Sequence, residues 1–102
     1  MKDRTIVLNT MSGNNGEVLA KNRTHLIQKG NDGRIYARFN NPSQEIFAIK
    51  LTLTARDPFS QFLVRINDRE EGIKKANAAG ILECRIPIPG LSRMTLEEIK
   101  SE

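Results

Sequence analysis

Seven cationic side chains occupy the polar faces of four predicted strands in the middle of the chain. They are Arg34, Arg38, Lys50, Arg56, Arg65, Arg69 and Arg85, and a single acid, Glu83, shares those faces. If the strands pair as hairpins, residues two apart in sequence point the same way and the cations form one broad patch. Such a patch suits a chain of phosphates, because each phosphate that it neutralises releases condensed counterions. The spacing therefore predicts a surface that binds a polyanion.

Uncharged polar side chains lie between these cations on the same predicted faces. They are Tyr36, Thr52, Thr54, Gln61 and Asn67. Hydroxyl and amide groups can hydrogen-bond base edges, and an aromatic ring can stack on an unpaired base. The alternative interpretation is an ordinary solvent-facing side of a sheet, where Thr and Arg need no partner. The excess of one sign of charge favours the polyanion-binding interpretation.

The whole chain shares this excess of positive charge. Its 102 residues include 16 Lys and Arg against 12 Asp and Glu, which gives a formal net charge of +4. A basic balance favours a nucleic acid as partner. The length fits one domain, residues 1–102, and its 38% of hydrophobic residues makes a small core that association with a second copy would complete.

Catalytic and metal sites are not indicated by the residues present. The segment 11–16 (MSGNNG) contains two glycines, but no Gly-Lys-Ser/Thr follows it, so it is not a phosphate-binding loop. His25 has no nucleophile or carboxylate partner in the sequence, and Cys84 falls at an inward position typical of a small buried hydrophobe. One Cys and one His make neither an internal disulfide nor a metal-ligand set. We expect no enzyme activity, no cofactor and no small-molecule substrate.

Alternation of apolar and polar residues with a period of two is the dominant pattern along the chain, and it predicts β-strands. Residues 4–9 and 17–23, separated by the turn-rich segment 11–16, are predicted to pair as an N-terminal hairpin. Clearer strands are predicted at 34–40, 44–56, 61–69 and 80–89. The segment 57–60 (DPFS) is typical of a turn, because Asp suits its first position and Pro its second.

The apolar positions of these strands define the predicted core. They are Ile35, Ala37, Phe39, Phe47, Ile49, Leu51, Leu53, Phe62, Val64, Ile66, Leu82, Cys84, Ile86 and Ile88. The segment 68–80 fits either a helical turn or a loop that leads into another strand, and residues 95–98 (TLEE) match a capping box that opens a helix. The predicted fold is α+β and mainly β, with an N-terminal hairpin, an antiparallel sheet of about five strands and a short C-terminal helix.

Targeting signals are not indicated by the sequence. The apolar run near the N-terminus is too short for a signal peptide, and no stretch approaches the ~18 apolar residues of a membrane span. The sequon at Asn22-Arg23-Thr24 is interpreted as coincidental, since no secretion signal accompanies it. A lone cysteine fits a reducing cytoplasm, and we expect no membrane partner.

The order of these features resembles the coat proteins of single-stranded RNA bacteriophages, the levivirus group. Residues 4–9 (RTIVLN) resemble the first strand of some of these coats. The segments 49–56 (IKLTLTAR) and 62–67 (FLVRIN), with a short turn between them, resemble the central hairpin. Residues 82–88 (LECRIPI), followed by 95–100, resemble the last strand running into a helix. The resemblance covers most of the chain through its pattern of strands and turns.

The resemblance implies a five-stranded antiparallel sheet preceded by a hairpin, with two subunits joined edge to edge. It also implies that the inner face of the sheet binds an RNA stem-loop and the packaged genome, while helices and hairpin cover the outer face. Carried over by position, the RNA-facing residues are Lys50, Thr52, Thr54 and Arg56 on one strand and Gln61, Arg65, Asn67 and Arg69 on the next. The segment 68–80 overlaps the loop that makes contacts between dimers in the capsid.

Three hypotheses remain open for the basic face. In the first, the chain is a capsid coat protein: a homodimer that assembles into a shell and binds single-stranded or hairpin RNA, located in the virion and made in the cytoplasm of a bacterial host. In the second, it is a small nucleic-acid-binding β module that forms no shell. In the third, it is a β-rich adaptor or inhibitor whose basic face binds an acidic surface of another protein.

Overall fold

The described part of the chain consists of nine β-strands joined by turns and loops. In the computed structural model the described residues are 2–9, 13–55 and 57–99. The strands are β1 (Lys2–Asn9), β2 (Val18–Lys21), β3 (His25–Lys29), β4 (Ile35–Asn40), β5 (Phe47–Thr54), β6 (Gln61–Ile66), β7 (Arg69–Lys75), β8 (Ile81–Ile88) and β9 (Arg93–Ile99). The mainly β character predicted from the alternation agrees with this architecture. Within these ranges there is no helix of the length and apolarity that a membrane crossing requires.

The strands form two sheets. One has three strands in the order β1-β5-β8, and the other has six in the order β2-β3-β4-β9-β6-β7. All neighbouring strands run antiparallel except β1 and β5, which run parallel. Alternate side chains of both sheets point inward and join one hydrophobic cluster, so the sheets pack face to face as a sandwich.

The core of the sandwich is made largely by the apolar positions that the alternation predicts. The buried ones are Ile35, Ala37, Phe39, Ile49, Leu51, Leu53, Phe62, Val64, Leu82, Ile86 and Ile88. Phe47, Ile66 and Cys84 are only partly buried. Ile27, Met94 and Leu96 are fully buried as well. Each large apolar side chain removed from water contributes roughly 1.5–3 kcal/mol, so these residues supply most of the driving force for folding.

The predicted N-terminal hairpin is wrong. β1 does not pair with β2; it lies beside β5 in parallel register, with Ile6 opposite Leu51 and Leu8 opposite Leu53. β2 pairs instead with β3 across a tight turn in which the Asn22 side-chain oxygen accepts hydrogen bonds from the backbone of residues 24 and 25. In this parallel position Ile6 and Leu8 pack against the core cluster. The turn propensity of residues 11–16 is a local signal, so it could not predict this long-range pairing.

The predicted C-terminal helix is also wrong, and with it the α+β class. Residues 93–99 form β9, which lies between β4 and β6 in the six-stranded sheet. Met94, Leu96 and Glu98 point inward, while Thr95 and Glu97 point outward. The pattern TLEE therefore has a strand period as well as a capping box. Ladders on both sides and the burial of Leu96 outweigh the local preference for a helix.

The predicted pairing of the two central strands is wrong as well. β5 and β6 follow each other in sequence but belong to different sheets, since β5 pairs with β1 and β8, and β6 with β7 and β9. The predicted turn at 57–60 is present, and it carries the chain from one sheet to the other. The ambiguous segment 68–80 forms β7, which turns back from β6 through Asn67 and Asp68. Both turn residues have positive φ, 50° and 68°, as in tight hairpin turns whose twist matches the strands.

Candidate nucleic-acid interface

The predicted RNA-binding residues lie on two opposite surfaces of the sandwich. Because β5 and β6 belong to different sheets, their polar faces point away from each other. The outer face of the three-stranded sheet carries Lys50, Thr52, Thr54 and Arg85. The outer face of the six-stranded sheet carries Arg38, Gln61 and Arg65. The single broad patch expected from hairpin pairing is therefore divided.

On the outer face of the three-stranded sheet the positive charge is balanced. Lys50 and Arg85 are in register on β5 and β8, and both form ion pairs with Asp3 of β1, at 3.6 Å and 3.0 Å. The hydrogen bond from Arg85, with the nearby positive charges, lowers the pKa of the Asp3 carboxyl below its usual value. Glu83 is the second acid on this face. Asp3 and Glu83 together thus balance the two predicted cations of this face, and the sequence did not indicate the pairing of Asp3 with them.

On the outer face of the six-stranded sheet a row of polar side chains crosses three central strands. Arg38 of β4 and Arg65 of β6 both lie in register with Thr95 of β9, which stands between them. Two strand spacings separate the arginines by about 10 Å. Arg65 donates to a Glu97 carboxylate oxygen at 3.0 Å, so it is held in place and partly neutralised. Arg38 has no acidic partner among the described residues.

Tyr36 lies beside this row near the middle of the same face. It is two residues from Arg38 on β4 and in register with Gln28 of β3 and Glu97 of β9. Its ring is partly buried, and these two neighbours offer a side-chain amide and a carboxylate. A ring held on a sheet surface next to a guanidinium group can stack on a base while the cation contacts the adjoining phosphate.

Three further cations join this face, and the sequence did not place them there. They are Lys21 of β2, Lys75 of β7 and Arg93 of β9. Lys75 and Arg93 were missed because their segments were interpreted as an ambiguous connection and as the approach to a helix. With Arg38 and Arg65 they make five cations on this face, against three acids among the described residues: Glu70, Glu97 and the turn residue Asp68, whose carboxylate accepts hydrogen bonds from Arg93 at 3.2 Å. The same count on the opposite face is two cations and two acids.

The remaining predicted site residues lie at the periphery. Arg34, just before β4, pairs with Asp32 at 3.5 Å. Asn67 is in the β6–β7 turn, where its side chain donates to Ser92 and accepts from the backbone of Arg93. Arg69 is exposed on β7 in register with the inward-facing Ile66, away from the row of Arg38 and Arg65. Arg56 lies outside the described residues.

The described residues contain no cluster of three or more acid, histidine or cysteine side chains that would hold a metal ion. Burial, and secondarily the charge of Arg4, lowers the pKa of His25, whose Nδ1 is buried and makes no hydrogen bond in the described part of the chain. Burial raises the pKa of the Cys84 thiol, which keeps it protonated and poorly nucleophilic. The adjacent acids Glu97 and Glu98 point to opposite faces of β9, and buried Glu98 accepts a hydrogen bond from the backbone of Ile35 at 3.0 Å.

No protein-family model matches this chain, and neither does any curated protein.

Proposed function

We propose that this chain is a non-enzymatic RNA-binding β-sandwich protein that takes single-stranded RNA on the outer face of its six-stranded sheet. The observation that carries the proposal is the difference in charge between the two outer faces. The face of the six-stranded sheet has five cations against three acids among the described residues, whereas Asp3 and Glu83 balance the two cations of the other face. A polyanion is attracted to the former and has no such reason to bind the latter.

The arrangement of Tyr36 and the two arginines favours single strands over duplexes. The sheet surface offers no helix or ribbon to enter a groove, but it carries the partly buried ring of Tyr36 and the side-chain amides of Gln28 and Gln61. Unpaired bases can stack on that ring and hydrogen-bond those groups, while Arg38 contacts phosphate. Gln28 and Gln61 are the nearest polar groups for base edges, because Thr95 is only 8% exposed.

The face can be tested with two matched double variants. Arg38→Gln with Arg65→Gln removes two cations from the proposed face, and Lys50→Gln with Arg85→Gln removes two from the opposite face. Each pair leaves one acid without its partner, Glu97 or Asp3. With oligouridine as the probe, the first variant is expected to bind at least ~10-fold more weakly. The slope of its log K against log salt should fall by about 1.4, at roughly 0.7 per lost contact.

The second variant is expected to bind oligouridine as the unchanged protein does, with the same salt dependence. Equal losses in both variants would indicate non-specific attraction to the net charge and would contradict the assignment to one face. Tyr36→Ala is expected to weaken binding by about 1–3 kcal/mol, and Tyr36→Phe to leave it nearly unchanged, since the ring remains.

The wider proposal, that this RNA-binding protein is a coat protein that dimerises and assembles into a shell, has one supporting observation. Both sheets end in strands that pair on one side only within the described residues. β8 is protected by Pro87 near its end and β7 by its charges and a bulge, whereas residues 5–9 of β1 contain no charge, proline or bulge. An open edge of this kind can pair with a second copy. Purified coat protein is expected to elute as megadalton particles that contain RNA, whereas a small module elutes as a monomer or dimer.

A further inference from the structure

A cleft at one end of the sandwich combines an apolar floor with a single guanidinium group. It opens where β1 passes the start of β5 and the loop after β4. Phe39, Ile49 and Ile88 form its floor, and each is 4% exposed or less. The volume of the cleft is about 80 Å³, below the roughly 300–1,000 Å³ of sites for drug-sized ligands, so it has room only for a short unbranched chain.

Arg4 is the charged residue of this cleft, and its charge is not neutralised. Its guanidinium group donates a hydrogen bond to the Thr24 hydroxyl and lies over the ring of Phe47, 5.3 Å from the ring centroid. No carboxylate pairs with it within the described residues, and no Asp or Glu lines the cleft there. Its neighbour Asp3 points to the other side of β1, where Lys50 and Arg85 hold it. Most of the donors of Arg4 therefore remain available at the mouth of an apolar site.

The rim of the cleft is fixed before any ligand arrives. Asn41 is 3% exposed, and its side-chain amide donates to the backbone carbonyls of Glu45, Ile88 and Pro89 at 2.8, 3.0 and 3.1 Å. Its side-chain oxygen accepts from the backbone of Ser43. These bonds tie the loop after β4 to the end of β8. A ligand thus meets a largely preformed site and does not have to order the loop.

We propose that this cleft binds a small monocarboxylate with an apolar tail, such as a short-chain fatty acid. The guanidinium fork of Arg4 matches the two oxygens of a carboxylate, and the tail lies on Phe39, Ile49 and Ile88. The ring of Phe47 holds the guanidinium group at the mouth, so the charge stays in solvent while the tail is buried. This site is separate from the proposed RNA face, because Arg4 points inward from the three-stranded sheet and Phe39 points inward from the six-stranded sheet.

The test is a titration of the ¹⁵N-labelled protein with hexanoate, followed by NMR, with hexan-1-ol as the uncharged analogue of the same chain length. Hexanoate is expected to shift the backbone amides of Thr24, Asn40, Asn41 and Phe47, and to bind about 10-fold or more tightly than hexanol, because the charged pair is lost with the alcohol. This comparison uses the unchanged protein and does not depend on the folding of a variant. Equal affinity for acid and alcohol, shifts confined to other residues, or no shift with either ligand would overturn the proposal.

The role of Arg4 is tested by Arg4→Gln against Arg23→Gln, which removes an exposed cation in the turn before β3. Arg4→Gln is expected to reduce hexanoate affinity about 10-fold or more and to leave hexanol affinity unchanged, while Arg23→Gln changes neither. A peptide ending in two leucines serves as a second arm, and binding of its free carboxylate but not of hexanoate would show that the site takes a chain terminus and overturn the small-molecule assignment. Full retention of hexanoate binding by Arg4→Gln would contradict the proposal, and the NMR spectrum of that variant reports whether it is folded.

Discussion

Single residues of this protein are constrained in ways that the sequence does not display. Asp3 looks like an unremarkable acid near the N-terminus, yet it pairs with cations from two other strands. His25 has no partner in sequence and has none for its buried Nδ1 within the described residues. Leu91 is a branched apolar residue with a φ of 56°, a region that favours glycine. Two of these residues give predictions for stability.

His25 is expected to make stability depend on pH. Burial lowers its pKa below the ordinary value of 6.5, so an unfolded chain binds a proton at a pH where the folded chain does not. The free energy of unfolding should therefore fall as the pH drops through 6.5 toward the pKa of folded His25. In the His25→Gln variant, the free energy of unfolding is expected to change less with pH over this range. Urea unfolding at several pH values measures the free energy of unfolding, and an NMR titration of the imidazole measures the pKa of His25. A pKa at or above 6.5 in the folded protein would contradict this prediction.

Leu91 is expected to store backbone strain that glycine relieves. Its side chain is 68% exposed, so its removal loses little packing. Leu91→Gly is expected to raise the free energy of unfolding by about 0.5–1 kcal/mol, because glycine adopts positive φ without a Cβ clash. Leu91→Ala keeps the clash and should change stability by less than about 0.5 kcal/mol. The stabilities of the two variants are compared by thermal unfolding. A glycine variant less stable than the alanine variant would show that Leu91 does not strain the backbone.

The strands were predictable where buried apolar residues alternate regularly with exposed polar ones. Strands β4, β5, β6 and β8 follow from alternation, since their apolar residues cover the core and their polar residues face water. β9 was not predictable in this way, because TLEE satisfies a helix cap as well as an alternating strand. The partner of each strand was also beyond the local pattern. The pairing of β1 with β5 and the assignment of β6 to the other sheet depend on which long-range contacts bury most surface.

The position of β9 in the middle of the six-stranded sheet gives a direct test. Leu96 is fully buried, in register with Ala37 on one side and Val64 on the other. Leu96→Ala is expected to lower the free energy of unfolding by about 2–5 kcal/mol, as the loss of a buried leucine leaves a cavity. Leu91→Ala serves as the exposed control. A loss below about 1 kcal/mol would fit a peripheral helix and not a central strand, and urea unfolding distinguishes the two.

At the scale of the whole molecule, the sandwich divides the basic residues between two opposite surfaces. The sequence correctly indicated polar strand faces rich in cations, but it could not indicate that two sheets would direct them to opposite sides. The outer face of the three-stranded sheet includes Asp3, so its charges balance. The outer face of the six-stranded sheet includes Lys21, Lys75 and Arg93, and it stays the more basic surface although Asp68 pairs with Arg93. Only part of the candidate site was therefore predictable, with Arg38, Gln61, Arg65 and Tyr36 in it and Lys50, Thr52, Thr54 and Arg85 on the face behind it.

The most direct measurement is the NMR spectrum of the ¹⁵N-labelled protein during titration with oligouridine. Backbone amides along β4, β9 and β6 are expected to shift, with the largest changes near Tyr36, Arg38 and Thr95. Amides of β1 and β8 should remain in place, because their outer face is electrically balanced and lies on the far side of the sandwich. Shifts centred on β1, β5 and β8, or none at low salt, would contradict the proposal that the six-stranded sheet binds RNA.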